Sequence, residues 1–235
     1  NLKGIYRPKW NPINNSIAFI GYSNFASDVF IYNIDEDSLL QITKDIYSDI
    51  QISWSPNGKE LLLVSDRSDN IILGRDMDIL SIAGTNYDNY DIYKLDLNGG
   101  LERLTATPFN ENSPSFSPDG TKVAVQARET YTEPEDLNIY IVDLNTGESE
   151  RISYRDFNEE SPEWFANENK IAYSSFDPQS GVSAHVYDID LGKEILTIKD
   201  GGYIHLAVSP DGDLIFNPIL APLYDANTGA LVADL

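Results

Sequence analysis

Short apolar runs alternate with clusters of turn-forming residues along the whole chain, and within many runs apolar and polar positions alternate with period two. That period belongs to half-buried strands, and no convincing helical period is found. The segment "SFSPDGTKVAV" (115–125) shows the basic unit: a strand ends at Ser117, Pro118-Asp119-Gly120 turns, and Val123-Ala124-Val125 runs back. Near-copies stand at 53–63 ("SWSPNGKELLL") and 207–216 ("AVSPDGDLIF").

The pattern recurs five times around the anchors Trp10, Trp54, Phe116, Trp164 and Val208, which lie 44, 62, 48 and 44 residues apart. A Tyr-x-x-Asp/Asn element keeps step with the anchors, as Tyr32…Asp35, Tyr93…Asp96, Tyr140…Asp143, Tyr187…Asp190 and Tyr224…Asn227. A third run closes most units: "LLQIT", "LERLT", "ESERIS", "EILTI" and "ALVADL". Each unit therefore reads as four short strands. Repeats of roughly 40–45 residues with four strands each indicate propeller blades, whose anchors pack between neighbouring blades.

Pro8-Lys9-Trp10, Pro114-Ser115-Phe116 and Pro162-Glu163-Trp164, with the turns at 55–58, 117–120 and 209–212, resemble the repeat of the TolB-like (WD40-like) β-propeller family. The resemblance covers nearly the whole chain. It departs at unit four, where "WFANEN" replaces the Ser-Pro-Asp-Gly turn, and at the shortened unit five. The expected fold is an all-β propeller of four-stranded antiparallel blades, either a ring of five or part of a ring of six to eight. One domain is expected over 1–235, with units of about 1–45, 46–106, 107–154, 155–199 and 200–235 and an insertion at about 69–88.

Charge and composition narrow the partners. The chain carries 38 acidic against 16 basic residues, for a net charge of −22. Such a field repels nucleic acid and anionic membrane surfaces and attracts basic proteins or peptides. No apolar run is long enough for membrane insertion as a helix. With no cysteine, disulfides, thiol chemistry and Cys-ligated zinc are excluded, which is compatible with export. The chain begins at Asn1 and its one methionine is Met77, so a processed mature chain or an excised fragment is expected.

Variation concentrates on the connections that follow the second and fourth strands of each unit. The insertion presents Ile72, Leu73, Met77 and Leu80, an apolar strip suited to a partner or to capping its own blade. Seven residues before three anchors stand Tyr47, Phe109 and Phe157, followed by Asp49, Glu111 and Glu159; Tyr203, at the start of unit five, is grouped with them. Aromatics beside carboxylates suit a cationic peptide, a basic loop or a sugar.

Catalytic sets are sparse. The two histidines, His185 and His205, sit in strands, no G-x-S-x-G elbow occurs, and no metal-ligand cluster is complete. No cofactor is expected; "SDRSDN" (65–70) and "RDMDIL" (75–80) gather oxygens suited at most to a cation such as calcium. The resemblance implies a protein-docking module in a periplasmic, cell-surface or secreted setting. Two alternatives remain open: a propeller polysaccharide lyase or glycan hydrolase using His185, His205 and axial carboxylates, and a regulatory propeller domain of a larger peptidase.

Overall fold

The repeated turn closes by one set of bonds. In the computed structural model, which describes residues 2–23, 26–67, 90–107, 110–128, 137–199, 206–216 and 222–234, the Gly120 amide donates to Ser117 O (2.9 Å). The Lys122 amide donates to Ser117 Oγ, and that hydroxyl donates to Asp119. Ser55 and Ser209 make the same bonds to Gly58, Glu60 and Asn57, and to Gly212, Leu214 and Asp211. Gly120 sits at φ 71°, in the left-handed region that a side chain would strain.

These hairpins build five four-stranded antiparallel sheets, each with its strands in chain order. The first holds β1 (Gly4–Trp10), β2 (Ser16–Ser23), β3 (Ala26–Asn33) and β4 (Ser38–Gln41). The second holds β5 (Asp49–Trp54), β6 (Glu60–Ser65), β7 (Asp91–Asp96) and β8 (Leu101–Arg103). The third holds β9 (Glu111–Phe116), β10 (Lys122–Arg128), β11 (Leu137–Asp143) and β12 (Ser149–Arg151). The fourth holds β13 (Glu159–Trp164), β14 (Lys170–Asp177), β15 (Gly181–Asp188) and β16 (Lys193–Lys199). The fifth holds β17 (Ala207–Val208), β18 (Leu214–Phe216), β19 (Pro222–Asp225) and β20 (Leu231–Asp234). The described residues contain no helix, and the sheets match in number the blades read from the repeat.

The residues divide into two compact units, Asn1–Asn112 and Ser113–Leu235. In the first, Ala18, Ile20, Val29 and Ile31 of one sheet pack with Ile52, Leu61, Leu63 and Tyr93 of the next. In the second, Ile139, Ile141 and Ile152 pack with Trp164, Ile171 and Tyr173, and Phe165, Ala184 and Ile198 pack with Leu206 and Ile215. Burial of small β-branched and aliphatic faces between successive sheets is thus the main cohesive term.

Two sequence expectations need correction. Trp10 is not a core anchor; it is 63% exposed, while Phe116 and Trp164 are buried. Trp54, by contrast, reaches back to the preceding sheet, its indole donating to Lys9 O (3.0 Å). The Tyr-x-x-Asp phase also shifts. Register aligns Asn33, Asp96, Asp143, Asp188 and Asp225 as the residues ending the third strands, so Asp35, Asp190 and Asn227 lie two positions beyond. The aligned side chains accept turn amides, for example Asp143 Oδ1 from Asn145 (2.9 Å) and Asp225 Oδ1 from Thr228 (2.7 Å).

The irregular fourth turn has its own device. Phe165 replaces the turn serine and is buried in the core between sheets four and five, while Asn167 Nδ2 donates to Pro210 O (3.1 Å).

Candidate functional site

Three of the predicted carboxylates occupy one repeated position, the first residue of a first strand. Asp49 opens β5, Glu111 opens β9 and Glu159 opens β13, and none is more than 1% exposed. In the first two cases a hydroxyl from the end of the preceding blade closes a latch. The Val29 amide donates to Thr43 Oγ1 (2.8 Å), which donates to Asp49 Oδ2 (2.7 Å). The Ile92 amide donates to Thr105 Oγ1 (2.9 Å), which donates to Glu111 Oε2 (3.0 Å), and Thr107 donates to Oε1. Each latch ties the third strand of one sheet to the opening of the next.

Burial dominates the titration of these groups. It raises Asp49 to about 6 against the opposing pull of Arg67 and Thr43. It raises Glu111 to about 7, against Thr107 and Thr105, with the Asp91 charge adding to the rise. Arg67 is the counterion of the first latch, 2.6 Å from Asp49 Oδ1 and 2.5 Å from Asp45. Its guanidinium also stands 5.4 Å over the Tyr47 ring, which places Tyr47 and Asp49 around one cation.

Phe157 is half-buried beside the opening of β13. Phe109, Tyr203, Ile72, Leu73, Met77 and Leu80 lie outside the described residues, as do His205 and the whole 69–88 insertion.

The third latch differs. Ser153 Oγ accepts the Ile139 amide (2.8 Å), but neither oxygen of Glu159 has a hydrogen bond of normal geometry. Its ionic partner is Arg155 Nε at 3.4 Å, and burial pushes its carboxyl above the usual range against Ser153 and Arg155. Glu159 borders a cavity of about 350 Å³ lined also by Tyr154, Arg155, Tyr173, Tyr187 and Glu194.

This cavity lies where the repeat breaks. Register aligns Phe19, Leu63, Val125 and Tyr173 on the second strands, and Phe30, Tyr93, Tyr140 and His185 on the third. On the fourth strands Gln41, Arg103, Arg151 and Thr197 align. In blade four a threonine thus stands where the other three carry a long side chain, and Arg155 enters from the connection between sheets. Arg155 Nη2 is 2.6 Å from Glu194 Oε2 and 3.1 Å from His185 Nδ1, and Tyr173 donates to the same Glu194 oxygen at 3.0 Å. The His185 ring stacks on Tyr173 at 5.0 Å, and Ser175 Oγ lies 2.8 Å from its Nε2.

Ser175, His185 and Glu194 stand in the order of nucleophile, base and acid. Ser175 and His185 are both buried, and neither borders the cavity. His185 is lowered to about 4 by burial and by the Arg155 charge, so it is neutral at pH 7 and joins strands rather than trading protons.

Sequence reading found Asp49, Glu111, Glu159 and His185 but missed Arg155, Tyr173, Glu194 and Thr197. The available signal was the bulky Tyr173 at an aliphatic or Phe position and the short Thr197 at a Gln/Arg position. It becomes visible once strand register is known.

The same fold occurs in known structures. The chain superposes on TolB from Acinetobacter baumannii with a TM-score of 0.72 at 18% identity, covering 95% of this chain and 52% of that one. The fold is a TolB-like β-propeller. A structure described as putative TolB from Agrobacterium tumefaciens gives 0.73 at 15% identity, with 97% and 79% covered. A chain of a mitotic checkpoint complex gives 0.68 at 13% identity, with 100% and 66% covered. The TolB-like chain therefore spans about half the length of the first of these structures. No protein-family model matches it, and no curated protein matches it in sequence.

Proposed function

We propose that this chain is a non-catalytic propeller module that binds a protein or peptide carrying basic side chains, in a periplasmic, cell-surface or secreted setting. The observation that carries this reading is the use made of its acidic groups. Asp49 and Glu111 are spent on internal hydrogen bonds, and His185 is buried and neutral. What remains for a partner is an acidic exterior, with a net charge of −22, and the cavity of blade four. The TolB-like fold supports an extracytoplasmic docking role by analogy. The single-domain reading of 1–235 and the partner-docking role of the 69–88 insertion belong to the same proposal.

Affinity capture from a cell-envelope extract, eluted with a salt gradient, tests it. A basic partner released as ionic strength rises supports the module; acidic or neutral partners held regardless of salt overturn it.

A further inference from the structure

We propose that the blade-four cavity is a subsite for one basic side chain, a lysine or arginine of the bound partner, with Glu159 as its carboxylate. This inference rests on the module reading above and names the group it recognises.

The two carboxylates on the cavity differ in how well they are satisfied. Glu194 is saturated: Arg155 (2.6 Å) and Tyr173 (3.0 Å) meet one oxygen and Thr197 donates to the other. Glu159 is wholly buried, borders the cavity, and has neither oxygen in a hydrogen bond of normal geometry. Buried carboxylates in folded proteins are ordinarily paired, because leaving one without donors costs several kcal/mol on the order of the ion's desolvation. The equivalent Asp49 and Glu111 each have two donors, so of these three carboxylates Glu159 is the one left short.

The lining sets the sign of the missing partner. Arg155 and Arg151 stand against Glu159, Glu194 and Glu150, which leaves one negative charge, and His185 beside them is neutral. An anion is therefore repelled and a cation drawn in. Tyr154 and Tyr187 add aromatic walls, and Tyr154 already carries a cation, the Arg151 guanidinium 4.8 Å over its ring. A volume of about 350 Å³ suits one extended side chain and is too small for a packed element.

The test uses n-butylammonium as the lysine side-chain probe and n-butanol as its neutral counterpart, followed by NMR titration of the whole chain. The expected result is saturable binding of the ammonium alone, weakened at least tenfold by Glu159→Gln. Glu148→Gln, which removes the same charge from an exposed position, should leave it within twofold. Tyr154→Ala, at an exposed rim residue, should weaken binding several-fold and remains informative if Glu159→Gln does not fold. Equal binding of the ammonium by wild type and both cavity variants, or equal binding of n-butanol, overturns the assignment. A basic peptide held equally by wild type and Glu159→Gln overturns the subsite and leaves the module standing. A wild type that binds neither peptide nor ammonium overturns both.

Discussion

Glu111→Gln should remove one loss of stability that this fold suffers as pH rises. Glu111 is buried at the opening of β9 and raised from its ordinary 4.5 to about 7 by burial. Between those values the folded chain holds a proton that the unfolded chain releases, so stability falls as pH rises through that window. At roughly 1.4 kcal/mol per pH unit the total loss is about 3 kcal/mol. Glutamine keeps the shape and the acceptor but never ionises, and it should forfeit about 1 kcal/mol of hydrogen bonding to Thr105 and Thr107. The variant is therefore expected to be about 1 kcal/mol less stable than wild type at pH 4.5 and about 2 kcal/mol more stable at pH 8. Urea unfolding at intervals across that range, followed by tryptophan fluorescence and circular dichroism, measures the difference. Glu148→Gln controls for the general relief of a net charge of −22. Curves for wild type and Glu111→Gln that run parallel from pH 4.5 to 8 would refute the burial argument.

The remaining predictions follow from individual contacts. His185, lowered to about 4, should show no imidazole titration between pH 8 and 5.5 by NMR; a midpoint near 6.5 would contradict its burial beside Arg155. Its sign is opposite to that of Glu111: the unfolded histidine takes up a proton first, so this group costs stability as pH falls from 6.5 towards 4. Trp164→Ala should cost about 3–5 kcal/mol in urea unfolding, whereas Trp10→Ala, at an exposed position, should cost less than about 0.5 kcal/mol. Tyr173→Phe, which deletes one donor to Glu194, should cost about 1 kcal/mol by the same measurement and leave the sheet intact.

How far sequence carries the structure depends on how local the cause is. The five-fold repeat is legible because its turn is local: Ser117, Asp119 and Gly120 bond among themselves and with Lys122, and the period-two strands follow. The phase of the third strands is not, because Tyr32, Tyr187 and Tyr224 stand two positions further along than Tyr93 and Tyr140, still on the same side of the pleat. Trp10 misleads for a related reason: its motif is regular, but burial of an anchor is decided by the sheet beneath it. Asp49, Glu111 and Glu159 were legible as a repeated residue type, and their roles were not, since hydroxyls six residues upstream decide which are satisfied. The blade-four cavity depends on Arg155 bridging to Glu194, 39 residues away, a relation only register and side-chain reach reveal.

The proposed function is electrostatic recognition of a basic partner by this propeller. Fluorescence anisotropy with a labelled lysine- and arginine-rich peptide, titrated at low and physiological salt beside its glutamate-substituted counterpart, tests it most directly. The account predicts binding of the basic peptide that weakens several-fold as salt rises, and no binding of the acidic one. Equal affinity for both peptides, or affinity for the basic peptide indifferent to salt, would contradict it.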